Sequence, residues 1–380
     1  MVVPQFARCI AGVVGLLIVL TSARSVIGTL IVPRPVASWL TRKVDQLVGA
    51  AFRTATARIG DYKRRDRVLS GEVAAVLICQ ILVWLLMFFF GFALMFWPFA
   101  HEGITEAFAT AGPALWQIGA EQARGAPERT ILDFASLTGI ITVTLQISYL
   151  PTLYAEFNRR ETEVALLNAR AGTPSWGPEL LARTHYALGS GVSTIHTLPQ
   201  IYADWERWAA DVTESHTTYL PLVRFRSPRP LSSWVTALLA VLDSAALFLA
   251  LSPERAPEVP ARLCLRSGFL CFNEIARAMR LPVPESPDSQ AGIAVTYEEF
   301  LDAVARLRQV DFPIERDPAD AWPDFVGWRV NYEDAAYAIA RAVDVVPALW
   351  SGPRRRPADQ IPPIRPPSGR AGSGTGSKAR

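Results

Sequence analysis

Four cysteines and four histidines are spread over 380 residues, and neither set is spaced for chemistry. Cys9 and Cys79 sit in apolar stretches, and Cys264 and Cys271 lie seven apart in an apolar helical pattern. They read as buried structural thiols, which excludes a disulfide or zinc framework. His101, His185, His196 and His216 share no ligand spacing, and His196 reads as the packed start of a helix. No glycine-rich phosphate loop, serine elbow or paired-cysteine motif occurs. Near His196 the closest carboxylates, Asp204 and Glu206, are two apart, so a helix would not put them on one face. With no catalytic, metal or cofactor constellation, the chain is expected not to be an enzyme. Alternating runs longer than about five residues are also missing, which points to an all-α fold.

The most telling absence is charge. Val73 to Ala100 and Phe134 to Ala155 contain no charged residue. Each reaches the roughly 20 residues needed to cross a hydrocarbon core, where the backbone must satisfy itself and helix is the default. A third apolar run occupies residues 1–33, interrupted by Arg24, an arginine that can snorkel. A signal peptide cleaved after TSA is the alternative there. Apolar character resumes beyond Arg24 and favours a first transmembrane helix.

Charge of the opposite kind orders these spans. Residues 34–72 are rich in arginine and lysine, with Leu40, Val44, Leu47, Val48 and Ala51 at helical spacing. This is the pattern of a basic amphipathic segment at the bilayer surface or against a neighbouring subunit, on the cytoplasmic side. The connection from His101 to Asp133 is acidic, and Arg159 and Arg160 follow the third span. Three spans with the N-terminus outside and the C-terminus cytoplasmic satisfy all three segments.

Residues 156–350 have ordinary polarity and predict a cytoplasmic helical domain. Glu156 to Gly172 continues the third span, and Ser175 is placed to cap the next helix. Further helical patterns cover 178–189, 194–219, 232–251, 258–280, 296–309 and 331–347, with loops at 221–230 and 280–292. Residues 232–251 are nearly apolar enough to cross, but Asp243 in the middle makes a buried bundle helix the better reading. Tyr202, Trp205, Arg207 and Trp208 interleave aromatic and basic groups. Asp204 and Glu206 offset that charge, so packing aromatics are expected and no nucleic-acid partner. Residues 351–380 are proline-, glycine- and arginine-rich and read as a disordered tail.

Residues 73–155 resemble the two-transmembrane pore module of the potassium channel superfamily. More closely, the chain up to about residue 190 resembles a family of uncharacterised bacterial membrane proteins built on that module. The segments carrying the resemblance are TLIVPRP (29–35), RRDRVLS (64–70), LWQIG (115–119) and ISYLPTLYAEFNRRETEVALLNARAGTP (147–174). It implies a short re-entrant helix near 103–116 and a filter position at Gln117, Ile118, Gly119, Ala120 and Glu121. It also implies an inner helix, 134–155, whose Thr138, Gly139, Thr142 and Pro151 line or bend a pore. A homotetramer in a bacterial inner membrane follows from the same likeness. The sequence departs from the family at the filter, where only Gly119 remains of the glycine-rich carbonyl ladder and Glu121 ends the run. The expected function is an ion-channel-like membrane protein, permeable to monovalent cations with weak or absent potassium selectivity. The alternative is a non-conducting, membrane-anchored oligomeric scaffold.

Overall fold

The charge-free runs fold as helices. The computed structural model describes residues 4–32, 38–118, 123–186, 194–284, 292–353 and 356–357. Gly119, Ala120 and Glu121, and nearly all of the tail at 351–380, lie outside the described residues. The first six helices are α1 (Gln5–Leu30), α2 (Trp39–Thr56), α3 (Tyr62–Leu69), α4 (Glu72–Phe96), α5 (Ile104–Trp116) and α6 (Ala126–Ala171). Then come α7 (Gly177–Tyr186), α8 (Leu198–Thr218), α9 (Pro221–Arg224) and α10 (Trp234–Leu251). The last four are α11 (Glu258–Ala278), α12 (Tyr297–Arg308), α13 (Pro318–Arg329) and α14 (Glu333–Ala342). There is no strand among the described residues, so the chain is all-α. Two compact units divide it: one is Met1–Thr162, Asp211–Pro230 and Glu274–Leu281, the other Glu163–Ala210, Leu231–Asn273 and Pro282–Arg380.

Among the described residues four helices are long and apolar enough to cross a membrane: α1, the helix containing α4, α6 and α10. Their surroundings differ. In the first unit, at most a third of the apolar stretch of α1, α4 and α6 is buried, and Phe6, Leu17, Ile78, Leu82 and Ile147 are among the exposed side chains. Such faces require lipid or neighbouring protein. In the second unit every residue of α10 except Leu249 is buried by the chain itself.

The first unit is built on close helix contacts. α1 runs unbroken through Arg24 and crosses α4 where Gly15 meets Gly91; a Cβ on Gly91 would stand 2.8 Å from Val19 Cγ2. The bare backbones let the two helices approach closely. Ser38 caps α2, and its hydroxyl lies 2.6 Å from Ser25 Oγ, which accepts from Trp84 Nε1 at 3.0 Å. One hydroxyl cluster thus ties α1, α2 and α4 together. Of the apolar face expected on α2, Val44 is buried and Leu40 and Val48 half-buried, whereas Leu47 and Ala51 are exposed.

The second unit is a bundle around α10. α7 meets it at Gly177, where a Cβ would stand 2.7 Å from Asp243 Cβ, and Gly268 of α11 seats against Leu242. Trp205 and Trp208 are buried with ring centroids 4.5 Å apart, as packing aromatics. Three local expectations are corrected. Ser175 does not cap α7; its hydroxyl donates to Asn168 Oδ1 and to the Gly172 carbonyl. His196 is exposed in a 3-10 turn instead of packed. α13 is an unforeseen helix, capped by Asp317 with Pro318 in its first turn; Pro318 and Pro323 make its sequence look like a loop, but a proline at the first helical position is well tolerated.

Candidate functional site

The half-length helix α5 is positioned from both ends. Gly103, at φ 95, turns the chain into it. Glu106 in its first turn accepts from the Glu102 amide at 2.6 Å and pairs with Arg124 at 2.6 Å. Its buried side is small except at its end, with Ala107, Thr110, Ala111, Gly112 and Ala114 followed by Leu115, while Phe89 of α4 stacks on Trp116 at 5.4 Å. At 13 residues α5 is about 20 Å long and too short to cross. Its far end lies deep beside α6: the Leu115 carbonyl packs directly against Gly139, leaving no room for a Cβ. Gly139 is about 20 Å along α6 from Ala126, at 1.5 Å per residue. There the chain turns at Gln117, in the left-handed region at φ 58, whose side-chain amide donates to the Ser136 carbonyl at 3.2 Å. Ser136 in turn donates to the Ala114 carbonyl at 3.0 Å.

α6 has three faces over its apolar length. Ala135, Gly139, Thr142, Gln146, Tyr149 and Leu153 point into the unit. Ile140, Val143, Ile147, Leu150 and Tyr154 form an exposed bulky face. Leu137, Ile141, Thr144, Ser148, Thr152 and Ala155 form a second exposed face, bulky and apolar at its first two positions and small and mostly polar from Thr144 onward. The residues expected at a pore therefore separate. Gly139 and Thr142 are buried; Thr138 and Thr142 donate to the carbonyls of Phe134 and Thr138 four residues back. Pro151 is exposed, and α6 runs unbroken through it. Gln117 and Ile118 are exposed at the tip of α5. Gln146 is buried with Oε1 unpartnered.

A second cluster in the same unit was hidden from sequence reasoning. Arg160, buried on α6, donates to Glu161 at 2.8 Å, to the Leu222 and Phe225 carbonyls at 2.7 and 2.8 Å, and to His216 Nε2 at 3.0 Å. The segment expected as a loop at 221–230 begins with α9, and its arginines reach the other helices. Arg224 pairs with Asp45 at 3.2 Å and Glu72 at 2.7 Å; Arg226 pairs with Asp66 at 2.5 Å. The charges were visible, but their partners lie 152 to 179 positions away, and no local pattern links them.

Because a guanidinium only donates, His216 must accept through Nε2 and carry its proton on Nδ1, beside Ser215 Oγ at 3.0 Å. Burial, and then the Arg160 charge, hold its pKa well below the ordinary value. In the unfolded chain the imidazole protonates near 6.5. Below that pH the unfolded state gains a proton that the folded state refuses, so stability is full above about 6.5 and falls as pH drops, by up to about 1.4 kcal/mol per unit. Melting of the full chain in detergent is expected to drop between pH 7.5 and 5.5, with a shallower drop for His216→Gln. Identical pH slopes in both would refute this.

In the second unit, buried Glu179 accepts from Arg183 at 2.7 Å and from Arg306 at 2.7 and 3.1 Å. Beside it an open groove of about 380 Å³ is lined by Trp176, Glu299, Asp302, Arg306, Gln309 and Trp350. Among the described residues no group of three or more His, Cys, Asp or Glu is placed to hold a metal ion. No protein-family model, curated protein or solved structure matches the chain, so the reading of what it does rests on its own residues.

Proposed function

We propose that this helical membrane protein is a three-span subunit of an ion pathway, similar in plan to the two-transmembrane pore module and assembled as a homotetramer. The observation that carries the reading is the Leu115 carbonyl seated on Gly139, about 20 Å down α6. A short helix entering beside two spans and turning back at that depth is tolerated in a bilayer only next to protein or water. The spans are α1, α4 and α6; α10, wrapped by its own chain, has no face left for lipid. The basic segments 34–72 and 159–160 support an orientation with these ends in the cytoplasm and the α5 side outside, and the resemblance to bacterial membrane proteins supports a bacterial inner membrane. The pathway is lined by the Thr144, Ser148 and Thr152 face of α6, with Ile147 and Tyr154 toward lipid. Glu121 attracts monovalent cations, and without a glycine-rich carbonyl ladder potassium selectivity is weak.

The second reading, a non-conducting oligomeric scaffold, draws on that same missing ladder and on the threonines satisfied within α6. Single-channel recording in planar bilayers under bi-ionic conditions separates the two. Discrete openings are expected, with conductance at least halved in Glu121→Gln. In a background lacking Cys9 and Cys79, thiol reagents should block Thr144→Cys and Ser148→Cys at least tenfold faster than Thr142→Cys. A verified oligomer without openings would leave the scaffold, and a monomer would remove both.

A further inference from the structure

The segment from Trp39 to Glu72 carries eight basic and four acidic residues, and the structure uses up the acids. Asp45 and Glu72 are taken by Arg224, Asp66 by Arg226, and Asp61 caps α3 by accepting from the Arg64 amide at 3.2 Å. Both neutralising arginines come from 221–230. What remains outward is uncompensated: Lys43, Arg53, Arg58, Lys63 and Arg67 are exposed and, among the described residues, enter no ion pair.

This positive face begins at the edge of the apolar spans. Ser38 and Thr41 bond to Ser25 and Thr29 in the closing turns of α1, at 2.6 and 3.0 Å. Gly49, further along α2, lies against Glu72 at the start of α4. α2 therefore follows α4 from the end of one span to the beginning of the other. Trp39 and Leu47, 66% and 70% exposed, flank Lys43 on its outer side. Tryptophan beside lysine where apolar surface gives way to charge is the composition of a membrane interface. The neighbouring span residues Ile27, Ile31 and Ile78 are exposed too, so the apolar surface continues from the spans to α2.

We propose that the outward face of α2 and α3 docks the headgroups of anionic phospholipids, with Lys43 at the interface and the other four cations adding attraction over a screening length. A second copy would present the same uncompensated positive charge, and a soluble polyanion would leave Trp39 and Leu47 in water. Lipid satisfies both requirements.

The full chain, reconstituted in equimolar phosphatidylglycerol and phosphatidylcholine, is extracted in mild detergent and its retained lipid counted by native mass spectrometry. At least threefold enrichment of phosphatidylglycerol is expected, falling below 1.5-fold in Lys43→Gln/Arg53→Gln/Lys63→Gln/Arg67→Gln. The control Arg308→Gln/Arg341→Gln should keep it. On the unsubstituted protein, brominated phosphatidylglycerol should quench the fluorescence that Trp39→Phe removes at least twofold more than brominated phosphatidylcholine. Equal enrichment in wild type and quadruple variant overturns the proposal. So does a quadruple variant whose oligomer changes while its lipid does not, an outcome that assigns this face to a second copy.

Discussion

Arg329→Met is expected to unfold the second unit, or to lower its melting temperature by at least about 6 °C. Arg329 is wholly buried, and its guanidinium serves four acceptors on two helices and the C-terminal segment. It donates to Asp243 of α10, to Glu333 of α14 at 2.8 Å, to Tyr337 Oη at 3.1 Å and to the Trp350 carbonyl at 2.6 Å. Tyr332 also donates to Asp243, at 2.9 Å. Burial alone would lower the Arg329 pKa, but Asp243, Tyr337 and Glu333 outweigh it and hold it well above the ordinary value. Methionine matches the volume of the stem and removes the charge, leaving two buried carboxylates close together. Breaking a buried pair from one side costs about 3–5 kcal/mol, a large share of a domain's stability, and each kcal/mol shifts the melting of a domain this size by about 2–4 °C. Arg329→Lys should be intermediate, since one ammonium cannot reach a forked set of acceptors. Differential scanning fluorimetry of the full chain in detergent is the measurement. A melting temperature within 2 °C of wild type for Arg329→Met would mean that the network holds nothing.

This network also explains how much of the fold the residues declare in advance. α4 and α6 are legible because absence of charge over twenty residues has one physical outcome in a bilayer, and α1 because its apolar character resumes beyond Arg24. α10 has the same composition and a different fate, and Asp243 marks the difference: a carboxylate costly in lipid is affordable where an arginine waits. That arginine is 86 positions away, beyond the reach of periodicity. The same limit hides Arg160 from His216.

Phase is the other quantity that composition does not carry. Threonines at 138, 142 and 144 look equivalent along α6, and helical spacing says only which of them share a face. Which face meets α4 and α5 is decided by tertiary packing, through Tyr149 and Leu153 against Val73 and Leu77. That contact turns Thr142 inward and Thr144 outward. Small side chains on α5 follow the same logic: their identity is plain, but only the packed structure shows that they let a helix end approach Gly139.

That approach gives the second large effect. Gly139→Val is expected to lift α5 from α6 while the spans stay folded. A Cβ at 139 would overlap the Leu115 carbonyl oxygen and stand 3.1 Å from its carbon. The obstacle is backbone, so no rotamer change relieves it and the end of α5 has to move. Overpacking of this kind costs about 1–3 kcal/mol, and the Gln117 and Ser136 bonds that fix the turn go with it. Amide exchange over 104–116 should rise at least tenfold, with exchange in α4 unchanged. Gly60→Ala, which meets nothing within 4 Å, should alter neither. On the ion-pathway reading the same variant loses its openings while keeping its oligomer, because the disturbed element lines the pathway instead of joining subunits. Unchanged exchange in α5 would mean that the contact at Gly139 does not hold the short helix at depth, and the central argument for a pathway would fall with it.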